Sequence, residues 1–308
     1  MTGKSSHREP PPHGLPRKKR RAGLLAGIAA FILFTAIVVH SPARLSEPGA
    51  TPHDRAREDL SRVEYPSLTG VEWFPRFIRP HETLESLYGD DWVTVARFNR
   101  IDRRHVYPGM TIKEPGDMAA ARNYTPMPEY YEPARNHDKY ILINITEQWL
   151  GAYEHGKLRF SMPAATGKTG TETPAGTFRV SARHRNHTSS LYQTDSGEEQ
   201  YPMDNAIRFH VDERAVAYWI HARDLPGRPA SHGCVGLFDE AMQKRVYGFP
   251  VTPVLLDSEK LYAWAVGEDE YEDDTGEHDE LEDGPTVEIF GANPVYQPFP
   301  IKRPAAGR

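Results

Sequence analysis

Two histidines and the only cysteine of the chain, His221, His232 and Cys234, lie within fourteen consecutive residues. A cysteine nucleophile reacts as its thiolate, and a nearby imidazole supplies that thiolate by accepting the proton. Gly233 leaves the backbone N–H groups of residues 233 and 234 open to a developing oxyanion. His221 stands at the end of the strand predicted over 215–220. The Pro and Gly residues that follow predict a turn that brings Cys234 back toward His221. This spacing favours nucleophilic acyl transfer.

Other interpretations of the same residues stay open on chemistry alone. A lone cysteine is most often a small buried apolar residue. His221, His232 and Cys234 also form a His₂Cys set of the kind that binds zinc, with His210 as a further histidine. A catalytic zinc site needs a placed water and a supporting shell, and no fourth ligand or activating glutamate lies close in sequence. We therefore predict no metal and no cofactor.

Three sequence motifs together carry a resemblance to a known family. His221 followed by SHGCV at 231–235 resembles the signature of the YkuD-type L,D-transpeptidases. The segments ATGK at 165–168 and TPAGTF at 173–178 are similar to a hairpin of that family. The segments PM at 202–203 and AIRF at 206–209 are similar to one of its strands. The resemblance spans residues 139–256 and implies a mainly β catalytic domain, a β-sandwich with short helices.

The resemblance assigns roles by position. Cys234 is expected to be the nucleophile and His221 the general base. Ser231, His232 and Gly233 are expected to shape the site, with the backbone N–H groups of residues 233 and 234 in the oxyanion hole. A backbone carbonyl next to the base is expected to orient the imidazole, so that no carboxylate is required.

Two departures from the family pattern affect the expected substrate contacts. Ala222 stands where the family has Gly, and Gly236 stands where it has Arg. A guanidinium binds a carboxylate through two parallel hydrogen bonds. We expect Arg223 or Arg228 to replace the missing arginine. Tyr218 and Met203 are further predicted substrate-binding residues.

The implied reaction is acyl transfer on peptidoglycan stem peptides. The expected product is a cross-link between two diaminopimelate residues, formed through a Cys thioester. Two related outcomes stay open: an L,D-carboxypeptidase, if water is the acceptor, or a transpeptidase that attaches a lipoprotein. A non-catalytic peptidoglycan-binding protein is the alternative from another class.

The N-terminal sequence predicts a membrane anchor. Residues 1–21 form a polar tail that ends in five basic residues, and 22–39 are an uncharged apolar run. A run of this length approaches what crosses a bilayer, and basic residues before it hold the N-terminus in the cytoplasm. We expect a single-pass protein of the bacterial inner membrane with its catalytic domain in the periplasm; a cleaved signal peptide is the alternative. Residues 40–76 are predicted to be a linker.

Residues 77–115 predict a small α+β module with the order βααβ. Leu84, Leu87 and Tyr88 recur at helical spacing, and a turn follows at 107–109. The segments TL at 83–84, FN at 98–99 and YPGM at 107–110 resemble those of a LysM module. That resemblance implies binding to peptidoglycan glycan, with a plain spacer as the alternative.

The rest of the chain divides by composition. A Pro-rich connector is predicted over 116–138, the catalytic domain over 139–267 and a terminal strand with a loose tail over 285–308. Residues 268–284 are rich in Asp and Glu, eleven of seventeen, and predict a solvated flexible loop. The net charge of −6 argues against a nucleic-acid partner, because phosphate binding rests on clustered Lys and Arg.

Overall fold

The computed structural model of the 308-residue chain describes residues 58–194, 197–272 and 274–296. The predicted basic tail and membrane anchor at 1–39 lie outside the described residues. Within the described ranges, no helix has the length and apolar character needed to cross a bilayer.

The segment predicted as a βααβ module has that order of elements. Its elements are β1 (Trp73–Phe77), α1 (Leu84–Tyr88), α2 (Trp92–Asn99) and β2 (Thr111–Pro115), and β1 pairs with β2 in antiparallel orientation. Thr83 and Ser86 form a capping box that starts α1. The Asn99 side chain bonds both the N–H and the C=O of Lys113, at 2.7 Å each, and so fixes α2 on β2.

The segments predicted as a linker and a Pro-rich connector contain short helices where the structure describes them. Residues 60–62 and 66–70 form 3₁₀ helices, and Leu60 and Leu68 are buried in the core of the module. The connector contains α3 (Met118–Arg122), and residues 132–134 form a further 3₁₀ helix. The apolar residues of these segments have no regular spacing, so periodicity could not show that they are buried.

The segment predicted to be catalytic, together with the residues that follow it up to Phe290, folds as two five-stranded sheets, which confirms the predicted mainly β class. The first sheet has the order β5-β4-β3-β14-β6 and the second the order β12-β11-β10-β7-β13. A separate hairpin is formed by β8 and β9. The strands are β3 (Tyr140–Asn144), β4 (Trp149–Glu154), β5 (Lys157–Pro163), β6 (Gly176–Arg179), β7 (Ala182–His184), β8 (Thr188–Gln193), β9 (Gln200–Pro202), β10 (Ala206–Val211), β11 (Ala217–Arg223), β12 (Val235–Phe238), β13 (Asp279–Glu280) and β14 (Thr286–Phe290).

The core of this domain lies between the two sheets and is closed by a helix. Alternate residues of β3, such as Ile141 and Ile143, join Ile220 of β11 and Val235 of β12 in one buried cluster. The helices are α4 (Glu240–Tyr247), α5 (Asp257–Val266) and α6 (Glu268–Glu272), and Leu261 of α5 packs on the same cluster. The burial of Ile220 and Val235 fixes the β11–β12 pair that carries the site.

The acidic segment contains secondary structure, which differs from the predicted flexible loop. It includes α6 and the short strand β13, which pairs with β7. Arg183 pairs with Glu270 at 2.9 Å and with Asp279 at 3.1 Å. Arg208 pairs with Glu280 at 2.5 Å. Arginines on β7 and β10 of the second sheet therefore pair with acidic residues that composition alone assigned to solvent.

Candidate active site

The predicted nucleophile and base lie on neighbouring parallel strands. The register pairs Ile220 with Val235 and His221 with Gly236, and Cys234 immediately precedes β12. Because side chains alternate along a strand, Cys234 and His221 share the face opposite to the core residue Ile220. His221 is buried and Cys234 is half-buried. The register thus places the two residues on the same face of neighbouring strands.

The His221 imidazole is held in one tautomer by the backbone. Nδ1 lies 2.6 Å from the carbonyl oxygen of Ala222. A carbonyl only accepts, so Nδ1 carries the hydrogen and Nε2 keeps its lone pair. Burial, followed by the positive charge of Arg223, lowers the pKa of His221 to about 3. The ring is therefore neutral at physiological pH with Nε2 unprotonated, and a backbone carbonyl orients it as the resemblance implied.

The Cys234 thiol is also neutral at rest. Burial raises its pKa, and a backbone hydrogen bond from Trp219 and the charge of Arg223 offset that rise only in part. Across the described part of the chain, no hydrogen bond joins the thiol to His221. The pair is thus a thiol beside a neutral imidazole, and proton transfer must accompany the attack on substrate.

Ser231 and Gly233 build the turn that presents the nucleophile. The Ser231 hydroxyl donates to the Cys234 carbonyl at 2.5 Å and accepts from the Gly233 N–H at 3.1 Å. The Gly233 N–H is therefore engaged, which corrects the expectation that it is open to an oxyanion. Gly233 has φ +121°, and a Cβ there would lie 2.6 Å from the Tyr218 ring, so only glycine fits.

The other predicted residues of this region form the rim and wall of the site. His232 is exposed and stacks on Tyr192 of the β8–β9 hairpin, with ring centroids 4.1 Å apart. Met203 packs with Cys234 and Trp219 in a small apolar cluster. The sequence analysis did not predict Tyr192 as part of the site, because no pattern in its polar segment connects it with His232, forty positions later.

Arg223 and Arg228 have different surroundings. Arg223 donates to the Ala230 carbonyl at 2.9 Å, and its charge acts on both Cys234 and His221. Arg228 instead pairs with Glu58, outside the catalytic domain, at 2.5 Å. The structure therefore brings Arg223, and not Arg228, to the predicted site.

The Arg223 side chain also explains Gly236. A Cβ at position 236 would lie 2.3 to 2.8 Å from three carbons of the Arg223 side chain. Real side chains do not approach that closely, so an arginine at 236 and Arg223 exclude each other in this arrangement. The Arg223 side chain therefore fills the space that a side chain at position 236 would need.

The alternative zinc ligands do not converge. His210 packs against Phe178 and Tyr218, and His232 against Tyr192. Among the residues that the structure describes, no group of three metal-ligating side chains lies close enough to hold an ion.

Comparison with known proteins adds a family match over the same segment. Residues 138–255 match the family model YkuD, the L,D-transpeptidase catalytic domain. That range contains His221, the turn and Cys234. A search of curated proteins found no match. The family match supports a cysteine-dependent peptidoglycan L,D-transpeptidase.

Solved structures similar to this chain are L,D-transpeptidases as well. One from Stackebrandtia nassauensis is 19% identical with a TM-score of 0.36, and the match covers 67% of this chain and 69% of that one. One from Xylanimonas cellulosilytica is 19% identical with a TM-score of 0.36, covering 64% and 79%. L,D-transpeptidase 1 of Mycobacterium tuberculosis is 18% identical with a TM-score of 0.30, covering 50% and 62%.

Proposed function

We propose that this protein cross-links peptidoglycan by joining two diaminopimelate residues through a thioester on Cys234. The observation that carries the proposal is the placement of the only cysteine of the chain beside a neutral imidazole, inside the matched domain. The hydrogen bond from Nδ1 to Ala222 leaves Nε2 as the proton acceptor.

The first half-reaction forms the acyl-enzyme. Sγ of Cys234 attacks the carbonyl carbon at the L-centre of diaminopimelate in a donor tetrapeptide, while Nε2 of His221 takes the thiol proton. The C–N bond to D-Ala breaks, and the imidazolium returns that proton to the departing amine. D-Ala leaves and the thioester remains.

The second half-reaction transfers the acyl group. The side-chain amine of diaminopimelate on a second stem attacks the thioester carbon, and His221 accepts the proton that the amine loses. The C–S bond breaks and Cys234 leaves as a thiolate, which the imidazolium reprotonates. The cycle needs no oxidant and no cofactor, because one amide C–N bond replaces another. The thiol proton leaves on the amine of D-Ala, and the proton lost by the acceptor amine restores the thiol.

Arg223 supports this cycle without forming a covalent bond or exchanging a proton in it. Its hydrogen bond to Ala230 holds the loop that ends in Cys234. Its charge stabilises the thiolate as it forms, in a partly buried site where electrostatic interactions are stronger than in water.

The proposal includes the location of the enzyme. The apolar run at 22–39 after a basic tail supports a single-pass anchor in the bacterial inner membrane with the catalytic domain in the periplasm. A phosphatase reporter fused after residue 308, active only outside the cytoplasm, tests the orientation. Activity of a cytoplasmic reporter at that position would reverse it.

The LysM-like module is proposed to be a rigid spacer in preference to a glycan-binding module. The loop from α2 to β2 is packed on the catalytic domain: the Leu225 N–H donates to Asp102 at 2.6 Å, and Arg103 bonds Glu240 at 2.6 Å. This packing supports a fixed distance between the module and the site. Titration with chitin oligosaccharides tests the choice, since binding in the micromolar range would restore the glycan-binding role.

The test of the activity is intact-mass analysis of the full chain in detergent with a disaccharide-tetrapeptide, beside Cys234→Ala. We expect loss of D-Ala, a transient acyl-enzyme and cross-linked dimers, all absent in the variant. D-Ala loss without dimers would indicate a carboxypeptidase, and transfer only to a lipoprotein lysine would indicate an anchoring enzyme. Intact stem peptides throughout would favour a non-catalytic wall-binding protein.

A further inference from the structure

A second cleft lies between the module and the catalytic domain. It encloses about 790 Å³ and is walled by α2 and the end of α3 on one side and by β5 and α5 on the other. None of its lining residues belongs to the Cys234 site. The cleft is therefore separate from the site that would hold the scissile end of the donor peptide.

The cleft is cationic in a chain whose net charge is −6. Its lining contains four cations, Arg97, Arg122, Arg159 and Lys260, against one carboxylate, Asp257. Asp257 is already bound to Arg97 through two hydrogen bonds of 2.5 and 2.9 Å. The remaining three cations make the cleft complementary to an anion.

Those three cations are available to a ligand. Arg122 pairs with Asp91 and Arg159 with Glu154, but more than half of each arginine side chain is exposed. Exposed pairs of this kind contribute little and exchange partners easily. Lys260 has no carboxylate partner within the described ranges, and its Nζ lies 4.4 Å from the centre of the Phe160 ring.

The rest of the lining suits a peptide. Asn123, Thr94 and Ser161 offer neutral hydrogen-bonding groups, and the half-buried Phe160 offers an apolar face. A ligand that combines carboxylates with amide groups would use all three kinds of contact. Peptidoglycan stem peptides have that chemistry, because their acidic residues leave free carboxylates along an amide chain.

We propose that this cleft binds the acidic stem peptide of a peptidoglycan strand and holds the polymer while another stem reacts at Cys234. The inference rests on the proposed function for the identity of the polymer. A free phosphate-bearing wall polymer would also complement the cations, so the test separates the two.

The experiment measures co-sedimentation of the full chain in detergent, in a Cys234→Ala background that prevents turnover, with diaminopimelate-containing sacculi. Lys260 is exposed, so Lys260→Gln and Lys260→Glu change its charge without removing packing. We expect binding to weaken about twofold for Gln and about five- to tenfold for Glu, as expected for a few weak ion pairs. Lys244→Glu, on the exposed face of α4, is the matched control and should stay within about 1.5-fold of the parent.

Two treatments of the sacculi identify the ligand. Removal of stem peptides by an amidase should abolish the difference between the Lys260 and Lys244 variants, whereas removal of phosphate polymers by hydrofluoric acid should preserve it. Equal binding by Lys260→Glu and Lys244→Glu, or a difference that survives the amidase or disappears with hydrofluoric acid, would overturn the inference. Failure of the proposed function is seen separately, as intact soluble tetrapeptide after incubation with the unmodified chain.

Discussion

Two neighbouring regions bury titratable side chains in opposite ways. At the active site, the Cys234 thiol and the His221 imidazole are both neutral. The interface between the LysM-like module and the catalytic domain instead buries charged side chains that have polar partners. Asp102 is fully buried and accepts hydrogen bonds from the Leu225 N–H and from Gln243 at 2.6 and 2.8 Å.

The difference reflects two roles: the active site must react with substrate, whereas the interface must hold the module on the catalytic domain. Buried charges are tolerated when every polar atom has a partner, and breaking such a set is costly. A neutral thiol and imidazole cost less to bury and keep a lone pair and a proton free for substrate. Mutations at the two regions should therefore separate activity from stability.

The largest effect is expected from His221→Ala. Removal of the predicted base should lower the rate of D-Ala release by about a thousandfold, within the range for loss of a general base. The melting temperature should fall as well, because the buried ring leaves a cavity, so the rate is measured well below the thermal transition of the variant. Stopped assays with the soluble tetrapeptide, beside the exposed control His155→Ala, measure the rate. A loss of less than about tenfold would remove His221 from the role of base.

At the interface, Glu240→Ala should act on stability in place of rate. The Glu240 side chain is fully buried and bonds Arg103 at 2.6 Å through both carboxylate oxygens. Its removal leaves Arg103 with an exposed partner only and should lower the free energy of unfolding by about 3–5 kcal/mol. Urea unfolding measures the loss.

The matched control for Glu240→Ala is Glu132→Ala, which breaks an ion pair with Arg135 that is mostly exposed. It should cost less than about 1 kcal/mol. Equal losses for the two variants would show that burial of the Arg103–Glu240 pair has no special effect, and the contrast between the two regions would then fail.

Arg223 lies where the two regions meet, and its substitution should affect the rate. Arg223→Ala removes the bond to Ala230 and the charge beside Cys234, and should lower kcat for D-Ala release by about 10- to 100-fold. Arg228→Ala breaks only the pair with Glu58 and should stay within about threefold.

Two further variants distinguish the geometry of Arg223 from its charge. Gly236→Ala should displace the same side chain and reproduce part of the loss. Arg223→Lys keeps the charge and should recover part of the rate. Equal kcat values for Arg223→Ala and Arg228→Ala would contradict the assignment of Arg223 as the guanidinium that supports the active site.

The sequence predicts the site better than its surroundings. The apolar run at 140–145 and the motif around Cys234 have local patterns, and both predict what the structure shows. Arg223 and Gly236 lie on two neighbouring strands. Only the strand register therefore reveals that the Arg223 side chain needs a glycine at position 236. Likewise, the Tyr65 hydroxyl bonds the Gly227 carbonyl at 2.7 Å across 162 positions, a contact with no local signal.

A smaller effect is expected from pH at the interface. Burial lowers the pKa of His105, but the Asp102 carboxylate 2.9 Å away outweighs it, so that the pKa is raised. The protonated ring then stabilises the fold below its unfolded pKa of about 6.5, and this stability is lost as pH rises through the folded pKa. Asp102 has a lowered pKa and stays ionised over this window.

His105→Asn should therefore lower the melting temperature by about 2–4 °C at pH 6, with the difference falling toward zero at pH 9. Asp224, which is also near, and Arg104 have opposite effects on His105, and both remain in the variant. Melting curves at pH 6, 7.5 and 9 measure the trend. A difference that grows with pH would reverse the assigned sign.

The smallest effect is expected at the active site, where pH from 5 to 8 should hardly change the donor half-reaction. His221 has a pKa of about 3 and the Cys234 thiol has a raised pKa, so neither group titrates in this range. The kcat/KM for D-Ala release should vary less than about threefold, whereas a histidine with an ordinary pKa near 6.5 would lose about 30-fold between pH 8 and pH 5.

The D-Ala assay isolates this property because dimer formation also depends on the acceptor amine, which must be deprotonated to attack. Dimer yield should therefore rise with pH while D-Ala release stays level. An acidic limb near pH 6.5 in D-Ala release would show that the imidazole is charged at rest, and with it that the active site, like the interface, buries an ion. A rate of D-Ala release that does not change with pH, together with pH-dependent melting through His105, would show both kinds of burial in one molecule: neutral groups at the active site and charged groups at the interface. Only the residues between Asp224 and Cys234 separate them.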